Sequence, residues 1–264
     1  MYPHHKEAIA NLTAMLENQP GVIGAVLGGS IAKGLERPDS DVDAIIVVTP
    51  ERYRELEAEK RTSECIFEGC NYPGGYFDLK YYTKEHLEAA ADHGSEPTRY
   101  AYTNSTCIFS KDPDLAEIVR RIPVFQKAEK EEKMLSFYAS LQLYKGYFWS
   151  SSKENLYLRT RCAAAVVLYG MRLLLEDAEV LFPCQKNLMI AVSALPPDKR
   201  PVEIVEKAER LLRTFGDEEK NAFVTSIMEC IRWQPPRDYS AVLSRFIQDH
   251  EEWWYKARPY IEEW

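Results

Sequence analysis

Two short apolar runs rich in branched side chains, residues 22–27 and 44–48, bracket a segment that opens on Gly28-Gly29-Ser30 and closes on Ser40-Asp41-Val42-Asp43. Runs this short, interrupted by glycine, read as buried strands entering tight turns. Residues 30–36 suit a short helix, and Pro38-Asp39-Ser40 supplies the turn that returns the chain to the sheet. Such a layout delivers Gly-Gly-Ser and Asp-x-Asp to two neighbouring strand ends.

Around this pair of strands the chain alternates. Ala8, Ile9, Leu12, Met15 and Leu16 fall at helical spacing over residues 5–17, until Pro20 and Gly21 end the pattern. Further helices are expected over 51–60, 83–91 and 114–121, a third strand over 76–82 and a fourth over 106–109. From about residue 129 strand alternation disappears, and an apolar helix over 156–175 suits the centre of a bundle. The expected fold is an α/β (α+β) domain with a small mixed sheet, residues 1–125, followed by an all-helical unit, residues 126–264. The longest apolar stretch, 163–175, contains Gly170 and Arg172 and falls short of the roughly 20 residues that span a bilayer, so no membrane association is expected.

A length of 264 residues favours two packed units over one. The 33 Lys and Arg stand against 41 Asp and Glu, a net charge of -8 that disfavours nucleic acid as the main partner and suits a cationic small molecule better. Six cysteines include no Cys-x-x-Cys pair, so free, buried thiols are expected in place of a zinc site. With no long apolar run near the N-terminus, the expected location is the cytoplasm.

The residues between the two strands carry a chemical logic of their own. Gly28 and Gly29 let a backbone approach phosphate oxygens closely, amides at the start of the following helix present partial positive charge, and the hydroxyls of Ser30 and Ser40 add donors. Asp41 and Asp43, two apart in a strand, place both carboxylates on one face while Val42 faces the core. Magnesium prefers carboxylate, water and phosphate oxygens, so this pairing points to metal-assisted nucleotidyl or phosphoryl transfer. Asp78, between the apolar Phe77 and Leu79, is the leading third carboxylate, ahead of Glu64 and Glu68.

The segment from Gly28 to Asp43 resembles the signature of the nucleotidyltransferase superfamily, which contains DNA polymerase beta and the antibiotic nucleotidyltransferases. The likeness covers about residues 20–80. The helical half is similar to the C-terminal domain of the aminoglycoside and lincosamide nucleotidyltransferases, through the apolar helix followed by Leu181-Phe182-Pro183-Cys184-Gln185-Lys186. What the resemblance implies is transfer of a nucleoside monophosphate from a nucleoside triphosphate, with ATP the expected donor, to a hydroxyl acceptor, with Asp41, Asp43 and Asp78 holding two Mg2+ ions. The acceptor expected is a small hydroxylated molecule, cationic like an aminoglycoside. Lys186 is the expected phosphate ligand from the helical unit, which would cover substrate and nucleotide, and a homodimer completing the site is left open. The competing expectations are nucleotidylation of a protein or RNA, and a nucleotide-binding regulatory or antitoxin-like module without turnover.

Overall fold

The computed structural model describes residues 1–264, which divide into two compact units, Met1–Val124 and Phe125–Trp264. The first runs α1 (Pro3–Leu16), β1 (Val22–Leu27), α2 (Gly29–Ala32), β2 (Val42–Val48), α3 (Pro50–Ala58), β3 (Ser63–Ile66), β4 (Phe77–Thr83), α4 (Lys84–His93), α5 (Glu96–Ala101), β5 (Thr106–Ser110) and α6 (Leu115–Arg121). Its sheet is mixed and five-stranded, in the order β3-β4-β2-β1-β5. β2 and β4 are parallel, and every other pairing is antiparallel.

Strand alternation sorts the side chains into two cores. On one face Val42, Ala44, Ile46, Val48, Phe77 and Leu79 pack with Ala8, Leu12 and Leu16 of α1 and Leu56 of α3. On the other, Val26, Ile45 and Val47 pack with Leu87, Ala90 and Ala91 of α4 and Ile118 and Val119 of α6. Each Val, Leu or Ile buried this way contributes about 1.5–3 kcal/mol. β2 is thus held from both sides, and only its N-terminal end, where Asp43 takes the place an apolar residue would fill, is free for chemistry.

Three elements depart from the sequence reading, among them α5, a short helix with no expected counterpart. β3 is a fifth strand that the apolar pattern does not announce, because its residues alternate between exposed and half-buried at the sheet edge. It also leaves Cys65 exposed, where a buried thiol is expected, although Cys70 and Cys162 are buried and all six cysteines are free. The helix expected over 30–36 stops at Ala32, and Gly34, with φ +68, belongs to the turn beyond it.

The second unit is helical: α7 (Lys130–Leu143), a π-helical turn (Tyr144–Phe148), α8 (Trp149–Ser151), α9 (Leu156–Asp177), α10 (Leu188–Ser193), α11 (Ile204–Thr214), α12 (Asp217–Cys230), α13 (Tyr239–His250) and α14 (Trp253–Lys256). α9 is its axis, packed by α7, α10, α11 and α12, with Cys162, Val166, Tyr169, Leu173 and Leu175 buried. Within that core Arg172 donates to the carbonyl oxygens of Glu262 and Trp264, and its guanidinium stacks over the Phe137 and Phe182 rings. No helix is long and apolar enough to cross a membrane.

The seating of α6 on the sheet depends on Gly24 of β1, where a Cβ would fall 2.6 Å from Leu115 Cδ2 and 2.9 Å from the Phe109 carbonyl oxygen. One of those neighbours is backbone, so the clash has no rotamer escape. Gly24→Ala is expected to destabilise the protein by about 1–3 kcal/mol, the range for overpacking a tight core. Urea denaturation checks this, and an unchanged midpoint would show that α6 is not seated on β1 as described.

Candidate active site

The carboxylates meet because of one pairing. β2 and β4 run parallel with Asp43 directly beside Asp78, and residues facing each other across adjacent strands share a face of the sheet. Phe77 and Leu79 point into the opposite core at 0% exposure, which fixes the orientation of Asp78 between them. Asp41 arrives from the turn before β2, where the Arg37 amide donates to Ser40 Oγ at 2.9 Å and the Tyr72 hydroxyl donates to the Ser40 carbonyl at 2.8 Å. The Tyr76 hydroxyl is hydrogen-bonded to Asp41, which pushes its pKa up to about 12.

Asp43 bears the electrostatic cost of this gathering. Burial, then Asp41, then Asp78 raise its pKa above the ordinary carboxylate value, while Lys80 and Lys33 oppose the shift. Lys80 Nζ lies 3.5 Å from Asp78 Oδ2. A buried carboxylate raised by neighbouring carboxylates with incomplete compensation is what a divalent cation relieves. No group of three or more His, Cys, Asp or Glu side chains lies close enough together to hold a metal ion by itself. Magnesium does not require one, since it commonly takes one or two carboxylates and completes its shell with water and phosphate. The side chains present therefore fit Mg2+.

The two glycines do different things. Gly29 has φ +63, and a Cβ there would lie 2.7 Å from Asp43 Cβ and on top of the carboxylate itself. What sequence alone reads as room for phosphate is, at this position, room for Asp43. At Gly28 a Cβ would meet nothing closer than 3.9 Å, so the missing side chain there leaves open space beside Asp43. α2 is four residues long and offers first-turn amides, not a strong dipole.

These residues line a cavity of about 280 Å³ with Gly28, Gly29, Asp43 and Asp78 at one end and Ile45, Tyr82, His86 and Tyr102 among its other walls. Tyr82 and His86 stack at 4.0 Å and 5°. Tyr102 is 3% exposed, and its hydroxyl has no hydrogen-bond partner. Lys33, which sequence reasoning passed over, also lines the cavity and donates to the carbonyl oxygens of Gly29 at 3.4 Å and Ala101 at 3.2 Å. Burial pulls the pKa of Lys33 down, against the pull of Asp43. Its signal in the sequence was a cation one helical turn after Gly29.

Other expected positions fall elsewhere. Ser30 and Ser40 are not among the residues lining the cavity, and Ser40 Oγ is committed to its own turn. Glu64 pairs in register with Leu79, so it lies on the sheet face opposite Asp78, where it binds Arg61 and the Tyr81 hydroxyl; Glu68 is exposed in the turn after β3. Lys186 is exposed on a 3-10 turn of the second unit.

Replacing Gly29 by Ala tests the packing of the turn on Asp43. Gly29→Ala is expected to cost about 1–3 kcal/mol through strain and overlap. Much of that loss should return in the Gly29→Ala, Asp43→Ala double variant, because the two changes share one contact. Strictly additive losses by denaturant unfolding would contradict the contact.

Residues 11–93, which contain both glycines and all three aspartates, match the nucleotidyltransferase domain family. A solved structure, a nucleotidyltransferase-like protein from Exiguobacterium sibiricum, is similar in fold with a TM-score of 0.50 at 12% identity, covering 92% of this chain and 76% of that one. No curated protein matches the sequence. The mixed sheet, the Gly-Gly-Ser turn and the family match agree: residues 11–93 of this chain form a nucleotidyltransferase domain.

Proposed function

We propose that this protein transfers a nucleoside monophosphate from a nucleoside triphosphate, ATP in the leading case, to a hydroxyl of a small molecule. The observation that carries the reading is the in-register placement of Asp43 beside Asp78, with Asp41 close enough to raise the Asp43 pKa. In this reading Asp41, Asp43 and Asp78 hold two magnesium ions, which when bound would lower the acceptor hydroxyl's pKa and offset charge on the departing pyrophosphate.

The chain's own groups have separate tasks. Gly28 leaves space for the triphosphate, and the first-turn amides of α2, with Ser30, donate to its oxygens. Asp78, half-exposed beside Lys80, is placed to accept the acceptor's proton where it does not ligate metal. The aromatic walls formed by Tyr82, His86 and Tyr102 suit a ring-bearing ligand that accepts a hydrogen bond from the unpartnered Tyr102 hydroxyl. A cationic acceptor, aminoglycoside-like in charge, agrees with the net charge of -8. The reading is tested by pyrophosphate release with Mg2+ over a panel of triphosphates and hydroxylated acceptors.

Because the folded state raises the Asp43 pKa, the folded protein binds this proton more tightly than the unfolded chain. The stability this provides is present below the ordinary carboxylate value of about 3.9 and is lost as pH rises through the folded value. At neutral pH and without metal the Asp43 charge is therefore a destabilising one. Asp43→Asn is expected to raise the Tm of the metal-free protein at pH 7, to remove the stabilisation that Mg2+ with nucleotide gives the wild type, and to abolish pyrophosphate release. A lower metal-free Tm together with activity within a fewfold of wild type would overturn the assignment.

A further inference from the structure

Around Trp149, in the helical unit, four cations gather with one carboxylate for company. The π-helical turn supplies Lys145, the start of α9 supplies Arg159, α12 supplies Lys220, and Lys153 lies between α8 and α9. The Arg159 guanidinium sits 4.2 Å and the Lys220 ammonium 4.9 Å from the Trp149 ring centroid. Both side chains are largely withdrawn from water, at 17% and 12% exposure. Burial, and then Lys220, pull the pKa of Lys145 down.

The single acid, Asp217, does little to neutralise them. Its carboxylate takes the Trp149 indole N–H at 2.5 Å and is 75% exposed, with Arg159 and Lys220 at 3.8 and 3.9 Å, the outer edge of an ion pair. Exposed pairs of that length contribute little. Packing of Trp149 needs one stacked cation at most, whereas two cations stand over its ring, with Lys145 and Lys153 nearby. The residues Trp149, Lys153, Arg159, Asp217, Lys220 and Asn221 line a hollow of about 320 Å³. It adjoins a π-helical turn, a feature frequent at functional sites and costly to keep otherwise.

We propose that this hollow is a binding site for a small oligophosphate anion, with Arg159 and Lys220 as its fixed ligands and Lys153 at its rim. Trp149 is 3% exposed and its N–H is already engaged, so it orients the cations and offers no face for a nucleobase to stack on. A protein of net charge -8 also repels a long polyanion at a distance, which leaves a compact, highly charged group as the fitting ligand. The site lies entirely within residues 149–221 of the second unit and does not depend on the nucleotidyl-transfer reading.

Isothermal titration of the full chain with tripolyphosphate, at low salt and without divalent cations, tests the site. Removing a charge-assisted hydrogen bond costs about 1.5–3 kcal/mol, so the Arg159→Gln, Lys220→Gln double variant should bind about tenfold more weakly or worse. Lys153→Glu, at an exposed position where folding is not at risk, should also weaken binding, and added NaCl should weaken the wild type. No binding at millimolar tripolyphosphate, or affinity unchanged in both variants, would overturn the proposal. So would a single-stranded oligonucleotide that binds more tightly than tripolyphosphate and loses that affinity in the same variants.

Discussion

Two carboxylates side by side on adjacent parallel strands form an arrangement that a protein does not keep for stability. Asp43 and Asp78 face the same side of the sheet, Asp41 stands close by, and the burial of Asp43 strengthens their repulsion. The fold supplies what holds them there. Val42, Ala44, Phe77 and Leu79 anchor the same strand ends in the opposite core, so neither aspartate can turn away without exposing apolar neighbours. Gly29 then presses its bare Cα against Asp43 and leaves that side chain little freedom. Stability is lost locally to keep a geometry that makes sense once a cation is bound, a trade common at functional sites.

That logic also orders the surroundings of the carboxylates. Lys33 and Lys80 both oppose the shift at Asp43, and each is held at the cavity by backbone or carboxylate oxygens. They soften the repulsion without closing the space that Gly28 leaves open. The same hollow is also lined by Tyr82, His86 and Tyr102, so charged and aromatic groups share one cavity. In the helical unit a second charge concentration, of opposite sign, is built on Trp149 by similar means: rigid apolar support under poorly compensated charge.

Much of this was legible in the sequence where local chemistry is strong. The apolar strand runs at residues 22–27 and 44–48, the turn chemistry of Pro38-Asp39-Ser40 and the apolar α9 each depend on neighbours in sequence. β3 escaped because an edge strand with half-buried residues carries no apolar run, and α5 escaped because it is short, although Ser95 caps it through the Thr98 amide and Pro97 follows. Gly29 has a further role that the sequence does not reveal: that its missing Cβ makes room for Asp43 depends on the packing of the turn on β2, which no local pattern encodes. Asp78 could be chosen over Glu64 from strand parity, yet only the register of β3 on β4 puts Glu64 on the wrong face. Lys33 had only a local signal, a cation one helical turn after Gly29, and the Trp149 cluster needs tertiary structure to be seen.

The central claim is that Asp43 and Asp78 belong to one cation site. Electron paramagnetic resonance titration with Mn2+ in place of Mg2+, in the presence of a non-hydrolysable triphosphate analogue, tests it most directly by counting free metal in the wild type, Asp43→Asn and Asp78→Asn. Loss of one ligating carboxylate should weaken Mn2+ binding by about tenfold or more in both variants, in line with the cost of removing a charged hydrogen-bonding partner. Mn2+ affinity within about twofold of the wild type in both variants, less than 0.5 kcal/mol by the same conversion, would contradict a shared site.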